Sequence, residues 1–164
     1  MTSSTQIAGC NRIEGGCVCG KVRYRLNTAP LFVHCCHCRW CQRESGSAFA
    51  VNALIEAHQV EVLSGTPDAI AVPTQSGAGQ VFYRCTDCYV ALWSQYSGLG
   101  DQVLFIRAGT LDEPDQMPPD IHIFTRSKQP WVILPEDVRV CEKYYKWQEE
   151  WPQEAQARRE VLGL

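Results

Sequence analysis

The sequence predicts an all-β domain closed by a short helical C-terminal tail, and three observations predict it. Short segments with a two-residue apolar period recur between residues 22 and 125. Stretches rich in turn formers, such as SGTPD and QSGAGQ, separate them. Past Glu136 the aromatic residues fall three and four apart, the spacing of one helix face.

Taken in order, residues 1–13 read as a polar, flexible arm. Val22, Tyr24 and Leu26 alternate with Arg23 and Arg25, the pattern of a strand with one wet face. Further strands are expected over residues 48–55, 60–64, 69–73, 80–84, 91–96, 103–108 and 121–125. Val103, Leu104, Phe105 and Ile106 are apolar on both faces, which puts that strand in the middle of the sheet system. The segment LDEPDQMPPD carries three prolines, which lack backbone donors and fix φ, so it reads as a surface loop. In the tail, Tyr144, Trp147 and Trp151 share a helix face, Glu154 stands four residues before Arg158, and Pro152 interrupts the helix or begins a second one. The domain is thus expected over 14–138 and the helical tail over 139–164. The tail aromatics pack on their own sheet or on a second copy, so monomer and homodimer both stay open.

A chain of 164 residues with 45% hydrophobic and 20% charged residues has the composition of one globular domain. Its net charge of -3 offers no excess of cations to neutralise phosphates, so a nucleic-acid partner is not expected. No apolar run is long enough to span a bilayer. The opening MTSSTQIAGCNRIEGG lacks the basic start and apolar core of an export signal, so a cytoplasmic location is expected. In that reducing compartment ten cysteines point to metal or redox chemistry rather than disulfides.

The spacing of those cysteines carries the functional reading. Cys17 and Cys19, with Cys85 and Cys88, are two close pairs able to close a four-thiolate zinc site, filled and therefore structural. Cys36, Cys38 and Cys41 supply three more sulfurs from one short segment, leaving a fourth position for water or a substrate thiol, which marks catalytic zinc. Three thiolates make the metal a weak Lewis acid, better suited to binding and deprotonating a soft thiol than to making hydroxide. A ribbon pairing Cys38 and Cys41 with Cys85 and Cys88 around one structural metal is the competing arrangement. His34 and His37 are kept out of the ligand shell, and Cys35 reads as a small buried residue pointing away from Cys36. Cys10 and Cys141 read as free thiols.

Gly16-Cys17-Val18-Cys19-Gly20, Cys36-His37-Cys38-Arg39-Trp40-Cys41 and Phe82-Tyr83-Arg84-Cys85-Thr86-Asp87-Cys88 together resemble the glutathione-dependent formaldehyde-activating enzyme family, which includes centromere-protein-V-like members. Arg107 to Asp112 and the segment from His122 to Lys128, with Trp131, fit the same pattern. The resemblance implies a Mss4-like zinc-bearing β fold and two zinc ions per chain. One would be structural, on Cys17, Cys19, Cys85 and Cys88, and one catalytic, on Cys36, Cys38 and Cys41. It also implies carbon–sulfur lyase chemistry joining glutathione and formaldehyde as S-hydroxymethylglutathione, and reversing it. One departure is Tyr89, where the family has Gly, a residue at ease with positive φ.

Around such a centre Trp40 is a candidate wall of the substrate pocket and His122 a candidate proton shuttle. Lys128, with Arg126, is a candidate partner for the carboxylates of a glutathione-like substrate. Two further readings stand beside this one. The same zinc acts on another small thiol, aldehyde or imine in a biosynthetic route, or both zincs are structural and the protein is a binding module.

Overall fold

The computed structural model describes residues 13–74 and 76–164, which form two sheets and several short helices. All of the expected arm but Ile13, and Cys10 within it, lies outside the described residues. Strands β1 (Ile13–Gly16), β2 (Arg23–Leu26) and β5 (Val60–Ser64) make a three-stranded antiparallel sheet with β2 at its centre. The second sheet is built from β3 (Phe32–Cys36), β4 (Ala50–Glu56), β6 (Asp68–Val72), β7 (Gln80–Arg84), β8 (Ala91–Tyr96), β9 (Val103–Arg107) and β10 (Ile121–Ile123). Its strands run in the order β10-β3-β4-β9-β8-β7-β6, antiparallel throughout except for β10 beside β3. The doubly apolar β9 is interior, between β4 and β8, as its composition requires.

Two strands and a helix escape the alternation pattern. β1 is short and ends in two glycines, and Gly15 is needed because a Cβ there would sit 2.6 Å from the Thr110 carbonyl and the Tyr24 hydroxyl. β3 is buried on both faces, so its five residues show no wet side to betray a strand. Helix α1 (Arg39–Ser45) begins directly after Cys38, whose side chain caps it by accepting from the Cys41 N–H.

Side-chain alternation gives the large sheet two cores. On one face Val33, Ala53, Ile55, Leu104 and Ile106 meet Tyr24 and Leu26 of the small sheet. On the other Phe32, Leu54, Val103, Phe105, Ile121 and Ile123 meet the C-terminal tail. The tail forms α2 (Trp147–Glu150) and α3 (Gln153–Val161), with Pro152 at the start of the second. Tyr144 precedes both helices rather than sharing their face. Tyr145 packs edge-on against Phe32 at 5.2 Å and Trp151 stacks on it at 5.9 Å, so these tail aromatics pack on the chain's own sheet. Arg158 of α3 pins the tail by a bidentate pair with buried Glu56, at 2.8 and 2.6 Å, and by two bonds to the Ala29 carbonyl.

Two turns of one design bring the paired cysteines together. In each, the residue after the second cysteine has positive φ: Gly20 at 75° after Cys19, and Tyr89 at 59° after Cys88. Tyr89 adopts the conformation that its replacement of glycine makes uncomfortable, with its ring exposed and its carbonyl accepting from Arg84 at 3.0 Å.

Relieving that left-handed backbone in Tyr89→Gly outweighs the added freedom of the unfolded chain, and raises unfolding free energy by roughly 0.5–1 kcal/mol in urea denaturation. For Glu56, burial raises the carboxyl's pKa, and the Arg158 hydrogen bonds more than reverse this, leaving it below its ordinary value. A depressed folded-state pKa contributes stability above the unfolded value and loses it as pH falls through the folded value. Arg158→Ala therefore destabilises by about 3 kcal/mol at pH 7, with the loss shrinking in acid as pH falls through the depressed folded-state value and Glu56 becomes neutral. An equal loss at pH 7 and in acid, read from urea midpoints, would contradict this role.

Candidate metal centre

Cys17 and Cys19 follow β1, and Cys85 and Cys88 follow β7, so one cluster joins the two sheets. Its four sulfurs lie within 4.8 Å of one another, with Cys17 3.4 Å from Cys19 and Cys19 3.6 Å from Cys85. Backbone N–H groups point at them, from Val22 to Cys17 at 3.2 Å and from Asp87 to Cys85 at 3.5 Å. The Val90 N–H leads in pulling the Cys88 thiol down to about 6. For Cys19 the Lys21 N–H acts downward, yet sharing with Cys17, burial and the other sulfurs carry it up to about 12. Sulfurs this close cannot all ionise beside one another, and a soft divalent cation removes the conflict. The donor set fits such an ion. A Lys21–Asp87 ion pair at 2.5 Å spans the two turns on the exposed side.

The second cluster is Cys36, Cys38 and Cys41, again with sulfurs within 4.8 Å. Cys36 ends β3, Cys38 caps α1, and Cys41 stands in that helix's first turn, its N–H donating to Cys38 at 3.3 Å. Hydrogen bonds from the Cys36 and Cys41 thiols, then backbone N–H groups of Cys41 and Trp40, hold Cys38 down to about 2. Cys36 is driven far up by sharing with Cys38 and Cys41 and by burial. The same conflict recurs here with three donors, and among the described residues no fourth Cys, His, Asp or Glu joins the group. The ribbon pairing of Cys38 and Cys41 with Cys85 and Cys88 does not form.

All three cysteines line a cavity of about 770 Å³ between the sheet and the tail. Its walls are Tyr96 and Phe105 from β8 and β9, Tyr144, Tyr145 and Trp147 from the tail, and Phe124 and Trp40 beside the cysteines. Phe124 has φ of 54°, so left-handed backbone sets the ring's position at the cavity. Arg39, Arg107, Arg126 and Arg159 bring cations to the lining. Arg107 is held by Asn52 at 2.7 Å, Arg159 lies 3.8 Å over the Trp147 ring, and Arg126 is exposed. His34 also lines the cavity, and its imidazole is pushed down to about 3 by burial and then by Arg107, so it stays neutral at neutral pH.

Of the residues singled out from sequence, Trp40 lines the cavity and His122 and Lys128 do not. His122 alternates with Ile121 and Ile123 on β10 and therefore faces the opposite side of the sheet, 3.0 Å from His37. The Lys128 ammonium is turned to the carbonyls of Gln129 and Val132. Cys35 is buried and faces away from Cys36, as its place in an extended segment dictates. Cys141 is partly buried and belongs to none of the clusters. Sequence reasoning missed the aromatic walls: the tail's Tyr and Trp residues were visible, but not that they fold over Cys36.

Among the described residues, no helix is long and apolar enough to cross a membrane. A solved structure of a Rhodobacter sphaeroides protein aligns with a TM-score of 0.45 at 17% identity, covering 60% of this chain and 87% of that one. A curated relative from Halomonas elongata, described as a "Putative glutathione-dependent formaldehyde-activating enzyme", is 26% identical over 127 residues, 74% of this chain and 80% of its own length. The family model described as glutathione-dependent formaldehyde-activating enzyme matches residues 12–127. That span contains both cysteine clusters and well over half of the sequence, so the chain belongs to the glutathione-dependent formaldehyde-activating enzyme family.

Proposed function

We propose that this protein is a zinc-dependent carbon–sulfur lyase acting on a thiol–aldehyde adduct of the S-hydroxymethylglutathione type. Cys36, Cys38 and Cys41 hold the working zinc, and Cys17, Cys19, Cys85 and Cys88 hold a second, structural one. The observation that carries the reading is the contrast between the clusters: four sulfurs in one, and three in the other with a cavity against them. Cys36, Cys38 and Cys41 would hold such an ion by three thiolates, and when bound it would supply an open position able to lower the pKa of a substrate thiol.

The chain's own side chains supply the rest. The aromatic walls exclude water from the place where the carbon–sulfur bond forms, which strengthens every polar contact inside. Arg39 and Arg126 offer guanidinium groups at the cavity lining for the carboxylates of a glutathione-like thiol. In the joining direction the sulfur bonds to the aldehyde carbon, the carbonyl oxygen takes up a proton, and the thiol proton is released. In the reverse direction the adduct's hydroxyl gives up its proton, the carbonyl re-forms, and the carbon–sulfur bond breaks with the sulfur departing as thiolate. Holding two small reactants together provides most of the acceleration this addition needs.

A second reading, the same centre acting on a larger thiol, aldehyde or imine, draws support from the number of rings at the cavity. Tyr96, Phe105, Phe124 and Tyr144 present more apolar surface than a one-carbon aldehyde covers.

Magnetisation-transfer NMR of glutathione, formaldehyde and their adduct tests the proposal. Zinc-loaded protein accelerates the exchange, and Cys38→Ser abolishes the acceleration while the chain stays folded. No acceleration with glutathione, but acceleration with an aromatic aldehyde, selects the second reading; none with either refutes both. The two clusters also separate in stability. Cys85→Ser lowers the thermal midpoint by ten degrees or more, on the order of the loss expected when a structural metal site is broken, whereas Cys38→Ser shifts it by only a few degrees.

A further inference from the structure

We propose that Cys35, His37 and His122 form a third metal site, for zinc or a similar borderline-soft divalent ion, on the face of the large sheet opposite the cavity. The backbone fixes the three residues together. Cys35 and His37 are two apart in sequence at the end of β3, and the parallel pairing of β10 sets His122 directly beside Cys35. Their donor atoms lie within 4.8 Å of one another, as do those of the two cysteine clusters.

The sulfur–nitrogen distance suits a metal, and the two ring nitrogens stand slightly closer than a shared ion would hold them. The Cys35 sulfur is 3.6 Å from His37 Nε2, and His37 Nε2 is 3.0 Å from His122 Nδ1. Tetrahedral zinc separates a sulfur and a nitrogen ligand by about 3.5 Å and two nitrogens by about 3.3 Å. Hydrogen bonding accounts for the group less well. His37 Nε2 has one lone pair or one hydrogen to offer, and two partners compete for it. A bound ion uses one lone pair from each of the three atoms and parts the two ring nitrogens slightly from their present approach.

Burial sharpens the same argument. Cys35 is 1% exposed and His37 fully buried, whereas half-buried His122 forms the side open to solvent through which an ion enters. A thiolate and two neutral imidazoles leave a divalent ion with a net charge of +1, and binding releases the Cys35 proton. One sulfur and two nitrogens give this site a ligand set unlike either cysteine cluster, so it can be read separately from them.

Cadmium-113 NMR of the full-length protein, titrated with three equivalents of cadmium, makes that reading. Cadmium shifts follow the number of bound sulfurs, so the four- and three-sulfur sites give downfield resonances and this site gives a third, well upfield. Cys35→Ala and His122→Ala each remove the upfield resonance and leave the other two in place. Should Cys35→Ala fail to fold, His122→Ala at its half-buried position carries the test. An unmodified protein with no upfield resonance overturns the proposal, as does an upfield resonance that survives His122→Ala.

Discussion

Sulfurs packed within hydrogen-bonding distance cannot all carry charge unless a cation sits among them, and two junctions of this fold rest on that constraint. One is the seam between the small and large sheets, closed by Cys17, Cys19, Cys85 and Cys88. The other is the passage from β3 into α1, where Cys36, Cys38 and Cys41 converge. In both, hydrogen bonds drive one thiol strongly toward ionisation while another is pushed the opposite way, Cys88 against Cys19 and Cys38 against Cys36. Each cluster therefore titrates as a unit, its sulfurs sharing protons among neighbours within 4.8 Å.

β3 divides the chemistry between two faces. Its alternation sends His34 and Cys36 toward the tail and the cavity, and Cys35 toward His122 on the other side. A slip of one residue in its pairing with β4 would exchange these sets and dismantle the three-sulfur cluster. The tail then turns an open sheet face into an enclosed site. Tyr145 and Trp151 settle on Phe32 while Tyr144 and Trp147 reach the cavity, and Arg158 locks the far end onto Glu56.

Much of this was legible in the chain. Alternation located the solvent-facing strands, the doubly apolar run placed β9 in the interior, and the cysteines that spacing grouped lie together in two clusters. β3 was hidden because burial on both faces erases the two-residue period, and α1 because it is seven residues long and begins within a cysteine motif. The position of His122 was out of reach for a different reason. Which way a strand residue faces depends on register, and the parallel pairing of β10 with β3 joins segments more than eighty residues apart. The aromatic walls share that cause, since no local pattern says that Tyr144 returns to Cys36. Tyr89, standing where the family has glycine, left two outcomes open, a different backbone or a strained one, and the backbone there keeps a positive φ.

Anomalous diffraction at the zinc absorption edge, from crystals of the zinc-loaded protein, locates the ions among these sulfurs. One peak is expected among the sulfurs of Cys17, Cys19, Cys85 and Cys88, and a second among those of Cys36, Cys38 and Cys41 with its remaining side toward the cavity. A single peak shared by Cys38, Cys41, Cys85 and Cys88, or none at the three-sulfur cluster, would contradict that assignment.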